Sequence, residues 1–305
     1  MFLLIEKIKE KLNKINDLQV KYKISIKKYT SFKVGGPVDI LAIPSSTNAL
    51  RKLLNIIKEY DLPTFVLGKG SNIIVGDKGY RGIVIYTGEL KKVSFQGNTL
   101  TAESGITLAS LANKALAQGL TGLEFASGIP GTLGGALFMN AGAYGGEMKD
   151  VVTSAELIDY SSEEIKLEKK DLKLSYRYSV IQEKPMIITR VHLLLKPGEK
   201  RKIREKMQAL NRKRKEKQPL EWPSAGSIFK RPTGYYSGPL IEGAGLKGLR
   251  VGDAQVSKKH AGFIINIGNA TASDIKNLIS KVQDEVFKKH GVNLEVEPRF
   301  IGEFE

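Results

Sequence analysis

The feature that most restricts how this chain can fold is the glycine-rich stretch at residues 128–146, GIPGTLGGALFMNAGAYGG. Seven of its nineteen residues are glycine. Because glycine loses much conformational entropy on folding, this density indicates that the backbone comes close to a bulky group. Outward-pointing N–H groups in such a segment suit a phosphate-bearing cofactor. The alternative is a tight glycine turn that packs inside a domain.

The spacing of these glycines matches neither common nucleotide-binding fingerprint. Gly128, Gly131 and Gly134 are three residues apart, whereas the dinucleotide motif is G-x-G-x-x-G. No G-K-[ST] follows, so a P-loop is excluded. The stretch by itself therefore indicates a cofactor site without identifying the cofactor.

The pattern of the whole chain predicts an α+β fold. With 305 residues, the chain is long enough for two or three domains. Val93–Glu103 alternates around Gly97-Asn98, which predicts a β-hairpin. Thr107 and Thr271 precede segments with helical spacing, and Asp274 completes a capping box at the second. Helices and hairpins mix without a long β-α alternation.

One polar loop follows a predicted strand near the N-terminus. The order is a strand at Ile40–Ile43, a helix that begins at Ser46 or Thr47, and a strand at Leu62–Leu67. The loop at 68–72 then leads into another strand, Ile73–Val75. A glycine-bearing loop at a strand end is a common place for a ligand.

The chain is strongly basic, and the charge is most concentrated at residues 200–217. Lysine and arginine number 48 against 32 acidic residues, a net charge of +16. Such a charge attracts nucleic acids, acidic membranes or phosphorylated small molecules. The basic segment also fits a solvated helix anchored by Ile203, Met207 and Leu210, and no nucleic-acid motif accompanies it.

Composition excludes several other classes of protein. There is no cysteine, hence no disulfide or thiolate metal site, and His192, His260 and His290 lie in no metal-binding spacing. We therefore expect no metal. No apolar run approaches the roughly 20 residues that span a bilayer. The N-terminal segment lacks the pattern of a signal peptide, so we expect a cytoplasmic protein without membrane insertion.

Four residues are candidates for chemistry, each with a structural alternative. Ser227 lies among small residues and is a nucleophile, a proton donor or a turn residue. Arg177 lies between two tyrosines and could be a stacked structural arginine. Glu297 precedes a proline in a predicted strand, Leu294–Phe304, and could be an exposed carboxylate. His260 follows two lysines and has either a functional or a structural role.

Taken together, eight segments of the chain resemble the UDP-N-acetylenolpyruvoylglucosamine reductase family, flavoenzymes of bacterial peptidoglycan precursor synthesis. The segments run in the family's order from residue 30 to 303. They are TSFKVGGP at 30–37, LGKGSNIIV at 67–75, GIPGTLGGA at 128–136, MNAGAYG at 139–145, YRYS at 176–179, PSAGSIF at 223–229, GDAQVSKKHAGFIIN at 252–266 and EPRFIGE at 297–303.

The resemblance implies a fold and a division of the chain. The expected fold is a two-part FAD-binding unit of the vanillyl-alcohol-oxidase (PCMH) type plus a C-terminal α+β substrate domain. The first FAD-binding subdomain would occupy residues 1–87. The second would occupy 88–200, joined by a C-terminal strand at 293–305. The substrate-binding domain would occupy 201–292.

The same resemblance implies which residues bind noncovalent FAD and the substrate. The expected FAD-binding residues are Ser31, Gly68, Gly70, Ser71, Asn72, Gly128, Gly131, Thr132 and Gly134. The expected substrate contacts are Lys217, Tyr144 and Arg231. Some members carry asparagine at the position of Arg231. The short span between Arg177 and Ser227 resembles the class that lacks an inserted tyrosine loop.

The resemblance also assigns the reaction and its catalytic residues. NADPH, as co-substrate, would reduce FAD, and flavin N5 would pass a hydride to the enolpyruvyl ether of the UDP sugar. Arg177 and a protonated Glu297 would stabilise the enolate-like charge, and Ser227 would deliver the proton. The remaining alternatives are another FAD-dependent oxidoreductase of the same fold and a basic nucleic-acid-binding protein. The oligomeric state stays open.

Overall fold

The computed structural model describes the backbone of residues 2–304 and the side chains of residues 6–304. Met1 and Glu305, the outer ends of the predicted segments 1–87 and 293–305, lie outside the described residues. The helices are α1 (Phe2–Asn13), α2 (Thr47–Glu59), α3 (Leu108–Ala117), α4 (Leu133–Phe138), α5 (Lys200–Lys217), α6 (Ser237–Gly243) and α7 (Ala272–His290). Short 3₁₀ helices lie at Ile26–Tyr29, Thr87–Glu89, Glu124–Ala126, Met148–Asp150 and Val180–Glu183.

The strands form several separate sheets, which confirms the α+β prediction. They are β1 (Leu18–Ser25), β2 (Pro37–Pro44), β3 (Thr64–Leu67), β4 (Ile73–Val75), β5 (Tyr80–Tyr86), β6 (Val93–Gln96), β7 (Thr99–Glu103), β8 (Leu120–Thr121), β9 (Gly142–Ala143), β10 (Gly146–Glu147), β11 (Val152–Asp159), β12 (Glu164–Glu168), β13 (Met186–Leu194), β14 (Lys196–Pro197), β15 (Arg250–Val251), β16 (Ala254–Val256), β17 (Ile264–Asn266) and β18 (Arg299–Ile301). The larger sheets have the orders β1-β2-β5-β3, β12-β11-β13-β7-β6 and β15-β16-β17. The strand pairs are β10-β9, β14-β8 and β18-β4.

The chain divides into two compact units, each assembled from several stretches. Unit 1 comprises residues 1–22, 40–69 and 82–212, and unit 2 comprises 23–39, 70–81 and 213–305. Unit 1 contains two hydrophobic clusters. One cluster includes Leu50, Leu53 and Leu54 of α2 and Ile83 and Ile85 of β5. Helix α2 begins where the sequence predicts, because the Ser46 hydroxyl accepts a hydrogen bond from the Ala49 N–H.

The second cluster of unit 1 lies on the five-stranded sheet. Strands β6 and β7 form the predicted hairpin, with Gln96 opposite Thr99 and Gly97 at φ +58° in the turn. Helix α3 packs its apolar side into this cluster through Leu108 and Leu111. The start of α3 sets the position of the glycine-rich stretch through two backbone hydrogen bonds. The Leu108 N–H donates to the Gly131 carbonyl, and the Leu133 N–H donates to the Ile106 carbonyl.

Unit 2 is built on α7 and the three-stranded sheet. The capping box of α7 forms as expected, since the Thr271 hydroxyl accepts from the Asp274 N–H and the Asp274 carboxylate accepts from the Thr271 N–H. Gly291 ends the helix in the left-handed conformation at φ +66°. Ile275 and Leu278 of α7 belong to the core of this unit.

The C-terminal strand is shorter than the predicted Leu294–Phe304 and has a different partner. Strand β18 covers only Arg299–Ile301 and pairs in parallel with β4, so it does not join the five-stranded sheet at 93–194. Both partners lie in unit 2. The division into 1–87, 88–200 and 201–292 remains a proposal about function. Within residues 2–304, no helix has the length and apolar content that a bilayer span requires.

Candidate active site

Ser227 lies in an extended segment between two other segments of unit 2. On one side it forms an antiparallel bridge with Phe263, and the Ile228 N–H donates to the Gly262 carbonyl at 2.9 Å. On the other side the Glu297 N–H donates to the Ile228 carbonyl at 2.8 Å. The fold therefore brings the backbone of Glu297 beside that of the residue after Ser227. Both side chains are partly exposed.

Residues 70–72 of the predicted cofactor loop are hydrogen-bonded to the segments that contain Ser227 and Glu297. The Asn72 side-chain amide donates to the Glu297 carbonyl at 3.4 Å. The Ser31 hydroxyl lies 2.6 Å from the Ser224 carbonyl and 3.2 Å from the Gly70 carbonyl. A hydroxyl has one proton, so Ser31 donates to one of these carbonyls at a time. Ser31 and Asn72 thus hold the loop against the segment that carries Ser227.

Within unit 1, two of the other predicted cofactor residues, Gly68 and Thr132, are neighbours. Gly68 lies against the glycine-rich stretch, since a Cβ at that position would be 2.4 Å from the Thr132 Oγ1 atom. Thr132 is buried and caps α4 by accepting from the Gly135 N–H. Gly128 lies in a half-buried turn at the start of the glycine-rich stretch. The two glycine-bearing segments that the sequence singles out are therefore neighbours here.

Gly134, a predicted cofactor residue, packs against the segment that contains Ser104. Its N–H donates to the Ser104 carbonyl at 2.7 Å, and a Cβ on it would lie 2.8 Å from the Ser104 Cβ. The N–H group is already bonded within the protein. Gly134 therefore allows α4 to pack closely against the end of β7, a role that the sequence alone did not indicate.

The donor groups at these segments suit FAD. The backbone N–H groups of Gly68, Lys69, Gly70, Ser71 and Asn72 bond to no acceptor within residues 2–304. The N–H groups of residues 131 and 132 likewise bond to none in the described part of the chain. Such groups bind phosphate oxygens without a counter-charge.

Ser104 is a residue that sequence reasoning missed. Its hydroxyl is buried at 1% exposure and has no hydrogen-bond partner among the described residues. A buried polar group without a partner is expensive, which points to a group outside the protein as its partner. The sequence carries no signal for this role, because Ser104 only follows an ordinary alternating strand.

Arg177 lies in unit 1, in a turn at residues 175–178. Its guanidinium carbon is 5.1 Å from the centre of the Tyr176 ring, the stacked arrangement that the tyrosine neighbours suggest. The residue is partly exposed and has φ +56°. The fold thus places Ser227 and Glu297 in unit 2 and Arg177 in unit 1.

The basic helix α5 is mostly exposed to solvent, as expected, but one of its basic residues is buried. Ile203 and Met207 are buried anchors, as expected. Lys217 is exposed at the end of the helix. Arg214 is only 9% exposed, so the interpretation of the whole segment as a solvated face is wrong at this position. It lies one turn from the end of the helix, and its carbonyl accepts from the Gln218 N–H.

Arg231 and Tyr144 each line a cavity in their own unit. Arg231 lines a cavity of about 420 Å³ in unit 2, together with Lys230 and Asn293. The guanidinium carbon of Arg231 lies 4.4 Å from the centre of the Tyr236 ring. Tyr144 is 44% exposed and lines a cavity of about 340 Å³ in unit 1. Either cavity has room for part of a substrate.

His260 lies three residues before Phe263, which forms the isolated β-bridge with Ser227. Its Nδ1 atom accepts a hydrogen bond from the Gly262 N–H at 3.1 Å, and its ring meets Phe263 edge-on at 5.0 Å. Burial lowers the pKa of the imidazole below its ordinary value of 6.5, and the charges of Lys247 and Lys217 act in the same direction. A backbone hydrogen bond of His260 and the charge of Glu242 oppose this shift.

This arrangement predicts a pH dependence of stability. The unfolded chain protonates His260 at a higher pH than the folded chain does. The contribution of neutral His260 to the free energy of unfolding is therefore fully present above pH 6.5. It is lost as the pH falls through the lower folded-state pKa. We expect the free energy of unfolding to fall less between pH 7 and 5 in His260→Asn, which keeps an acceptor but cannot titrate. Urea unfolding at both pH values measures this, and equal losses in wild type and variant would contradict it.

The described residues contain no cluster of three or more His, Asp or Glu side chains that could hold a metal. His192 is used within the five-stranded sheet, where its two ring nitrogens lie 2.9 Å from the Thr101 hydroxyl and 2.9 Å from the Glu156 carboxylate. His192 is therefore a structural residue.

Two family models match the chain. The model described as an FAD binding domain matches residues 38–168. The model described as the C-terminal domain of UDP-N-acetylenolpyruvoylglucosamine reductase matches residues 218–301. Together they cover the segments that contain Gly68–Asn72, the glycine-rich stretch, Ser227 and Glu297.

Relatives of nearly the same length carry the same name. A UDP-N-acetylenolpyruvoylglucosamine reductase of Caldanaerobacter subterraneus is 50% identical over 99% of both chains. One of Alkaliphilus oremlandii is 52% identical over 91% of this chain and 92% of the relative. The crystal structure of UDP-N-acetylenolpyruvylglucosamine reductase from Thermus caldophilus is 36% identical, covers 93% of this chain and 99% of that chain, and superposes with a TM-score of 0.82.

Proposed function

This chain belongs to the UDP-N-acetylenolpyruvoylglucosamine reductase family, and we propose on that basis which of its residues carry out the family's reaction. The protein is an FAD-dependent oxidoreductase of peptidoglycan precursor synthesis. It reduces the enolpyruvyl ether of UDP-N-acetylglucosamine to UDP-N-acetylmuramate, with a nicotinamide nucleotide as reductant. The observation that carries this assignment is 50% identity over 99% of both chains.

The FAD site consists of the loop at 68–72 and the glycine-rich stretch. The free N–H groups of Gly68, Gly70, Ser71, Asn72, Gly131 and Thr132 bind the pyrophosphate. Gly128, Gly134 and Ser31 would shape the surrounding backbone, and the unpartnered Ser104 hydroxyl, next to Gly134, is a further candidate contact. When bound, noncovalent FAD supplies the hydride that it has taken from NADPH.

Three residues of the chain act on the sugar. Arg177 and a protonated Glu297 stabilise the negative charge that develops on the carboxylate side of the enol ether. Ser227 delivers a proton to the adjoining carbon. The bond between the Glu297 N–H and the Ile228 carbonyl supports this assignment, because it fixes two of the three residues in one structural element.

Substrate binding uses Lys217, Arg231 and Tyr144. The diphosphate and carboxylate of the substrate are anionic, and the net charge of +16 favours their approach. Arg231 lies over Tyr236 at 4.4 Å, which orders its guanidinium. We further propose that the protein works in the cytoplasm, with an FAD-binding part at 1–87 and 88–200 and a substrate-binding part at 201–292.

Lys217 and its neighbours should respond differently to salt. We expect Lys217→Ala to raise the KM for the UDP sugar several-fold at any ionic strength, because a direct charge-assisted contact is lost. Neutralising the exposed Arg212, Lys213 and Lys215 together should raise KM only at low ionic strength, where screening is weak. Arg214 is left intact because it is buried. Steady-state KM against salt decides this, and a wild-type KM in Lys217→Ala would remove Lys217 from the site.

The two half-reactions provide the direct test of the function. The purified protein should show flavin absorbance, and acid precipitation should release the FAD. Anaerobic NADPH should bleach the flavin, and the enolpyruvyl UDP sugar should restore its absorbance with formation of UDP-N-acetylmuramate. A reduced flavin that UDP-N-acetylglucosamine reoxidises equally well, or that the enolpyruvyl sugar leaves reduced, would overturn the assignment.

A further inference from the structure

The turn that carries Arg177 adopts a conformation that is unfavourable for arginine. The N–H and C=O groups of Ser175 and Tyr178 bond reciprocally at 3.1 Å, which leaves Tyr176 and Arg177 as the two central residues. Arg177 has φ +56°, a left-handed conformation that costs a non-glycine residue about 1 kcal/mol or more. Such a conformation persists only where surrounding contacts impose it.

Asn140, from the glycine-rich stretch, supplies the first of these contacts. Its side-chain amide donates to the Ser175 carbonyl at 2.9 Å and to the Glu147 carboxylate at 2.7 Å. The side-chain oxygen of Asn140, Oδ1, accepts a hydrogen bond from the Lys149 N–H at 2.8 Å. Asn140 is 1% exposed, so the polar atoms of its side chain depend on these three bonds and not on water. The start of the Arg177 turn is thus fixed to a rigid, buried group.

Gln182 supplies the second contact, on the other side of the turn. Its side-chain amide donates to the Arg177 carbonyl at 3.0 Å and to the Phe138 carbonyl at 2.8 Å. The Ser179 hydroxyl donates to the same Phe138 carbonyl at 2.8 Å. Phe138 is the last residue of α4, which follows the proposed FAD-binding residues Gly131 and Thr132. The turn is therefore connected through side chains to the end of the helix that begins at the cofactor segment.

We propose that Asn140 and Gln182 are positioning residues for the reaction: they hold the Arg177 turn so that the guanidinium meets the charge that develops on the substrate. The proposal rests on the catalytic role assigned to Arg177 above. A displacement of about 1 Å at a catalytic group can slow a reaction by up to about 10²-fold. Both residues act through the backbone carbonyls of the turn.

Gln182→Met tests this, because methionine has a similar length and lacks both donors. We expect it to slow sugar reduction by about 10- to 100-fold, chiefly in kcat, while flavin content and the rate of flavin reduction by NADPH stay within about twofold of wild type. Thr153→Val is the matched control. It removes a side-chain-to-backbone bond of 3.1 Å from the five-stranded sheet, away from the turn, and should leave both half-reactions unchanged.

A double-mutant cycle separates this proposal from the role of Arg177 itself. In an Arg177→Ala background, Gln182→Met should slow sugar reduction by no more than about twofold further, because the group that it positions is gone. An undiminished effect in that background would overturn the positioning role, as would wild-type sugar reduction in the single Gln182 variant. If Arg177→Ala alone leaves sugar reduction unchanged, the catalytic role of Arg177 fails instead.

Asn140→Asp provides a second variant with a stronger expected effect. The new carboxylate would face the Glu147 carboxylate and the Ser175 carbonyl, and both repel it. Sugar reduction should fall more than in Gln182→Met, again with flavin reduction preserved. Because Asn140 is buried, this variant is interpreted only if its circular dichroism and flavin content match wild type; Gln182 is partly exposed and carries the test in either case.

Discussion

Ser227→Ala should slow reduction of the enolpyruvyl sugar by about 10² to 10⁴-fold and leave reduction of the flavin by NADPH almost unchanged. This range is typical for the loss of one general acid. The first half-reaction requires no proton from Ser227, whereas the second ends with protonation of the carbon beside the hydride acceptor. Anaerobic stopped-flow measurements at the flavin absorbance band follow the two half-reactions separately.

Ser224→Ala is the control for this experiment. Ser224 lies in the same loop, and its backbone carbonyl accepts a hydrogen bond from Ser31 that the variant keeps. We expect both half-reactions to stay near wild type. If Ser227→Ala slows both half-reactions equally, Ser227 shapes the site and does not donate the proton.

Gly70→Ala should destabilise the protein by about 3 kcal/mol and remove most of the bound FAD. Gly70 has φ +63°, and a Cβ there would be 2.1 Å from the Tyr29 carbonyl oxygen and 2.9 Å from the Thr30 Cα. The left-handed conformation costs alanine about 1 kcal/mol. Displacement of the crowded backbone adds about 1–3 kcal/mol. Urea unfolding and the ratio of flavin to protein absorbance measure the two effects.

Gly97→Ala isolates the backbone contribution. Gly97 has a nearly equal φ of +58°, and a Cβ there would meet no atom within 4 Å. It should cost only about 1 kcal/mol and leave FAD bound. Equal losses of stability at the two glycines would show that the close approach at Gly70 has no energetic effect. Full FAD occupancy in a folded Gly70→Ala protein would exclude the loop from the cofactor site.

Helix ends and turns were predictable from the sequence because they depend on residues a few positions apart. Ser46, Thr107 and Thr271 all cap the helices that they were expected to begin. The Gly97-Asn98 hairpin forms for the same reason, since its turn is decided by two residues. The resemblance to a known family added the candidate catalytic residues, which local pattern alone left undecided.

Two expectations were wrong because strand pairing and burial depend on contacts between residues far apart in the sequence. The C-terminal strand pairs with β4, because pairing depends on which edge the returning chain reaches. Arg214 is buried within an otherwise solvated helix, and a charge run does not reveal which side of the helix is covered. A contact that the sequence did not predict is the hydrogen bond from the Gly134 N–H to the Ser104 carbonyl, which depends on the packing of α4 against β7.

The sequence by itself determined the fold class, the helix caps and the hairpin, because propensity and hydrogen bonding between near neighbours are properties of a short segment. Only the tertiary structure decided that Ser31 meets Ser224 across 193 residues, that Glu297 lies beside the Ser227 segment, and that Asn140 and Gln182 hold the Arg177 turn. Apart from the bond between Gln182 and Arg177, which are five residues apart, each of these bonds joins segments that become neighbours only when the hydrophobic clusters are buried. Their position therefore follows from the packing of the whole chain.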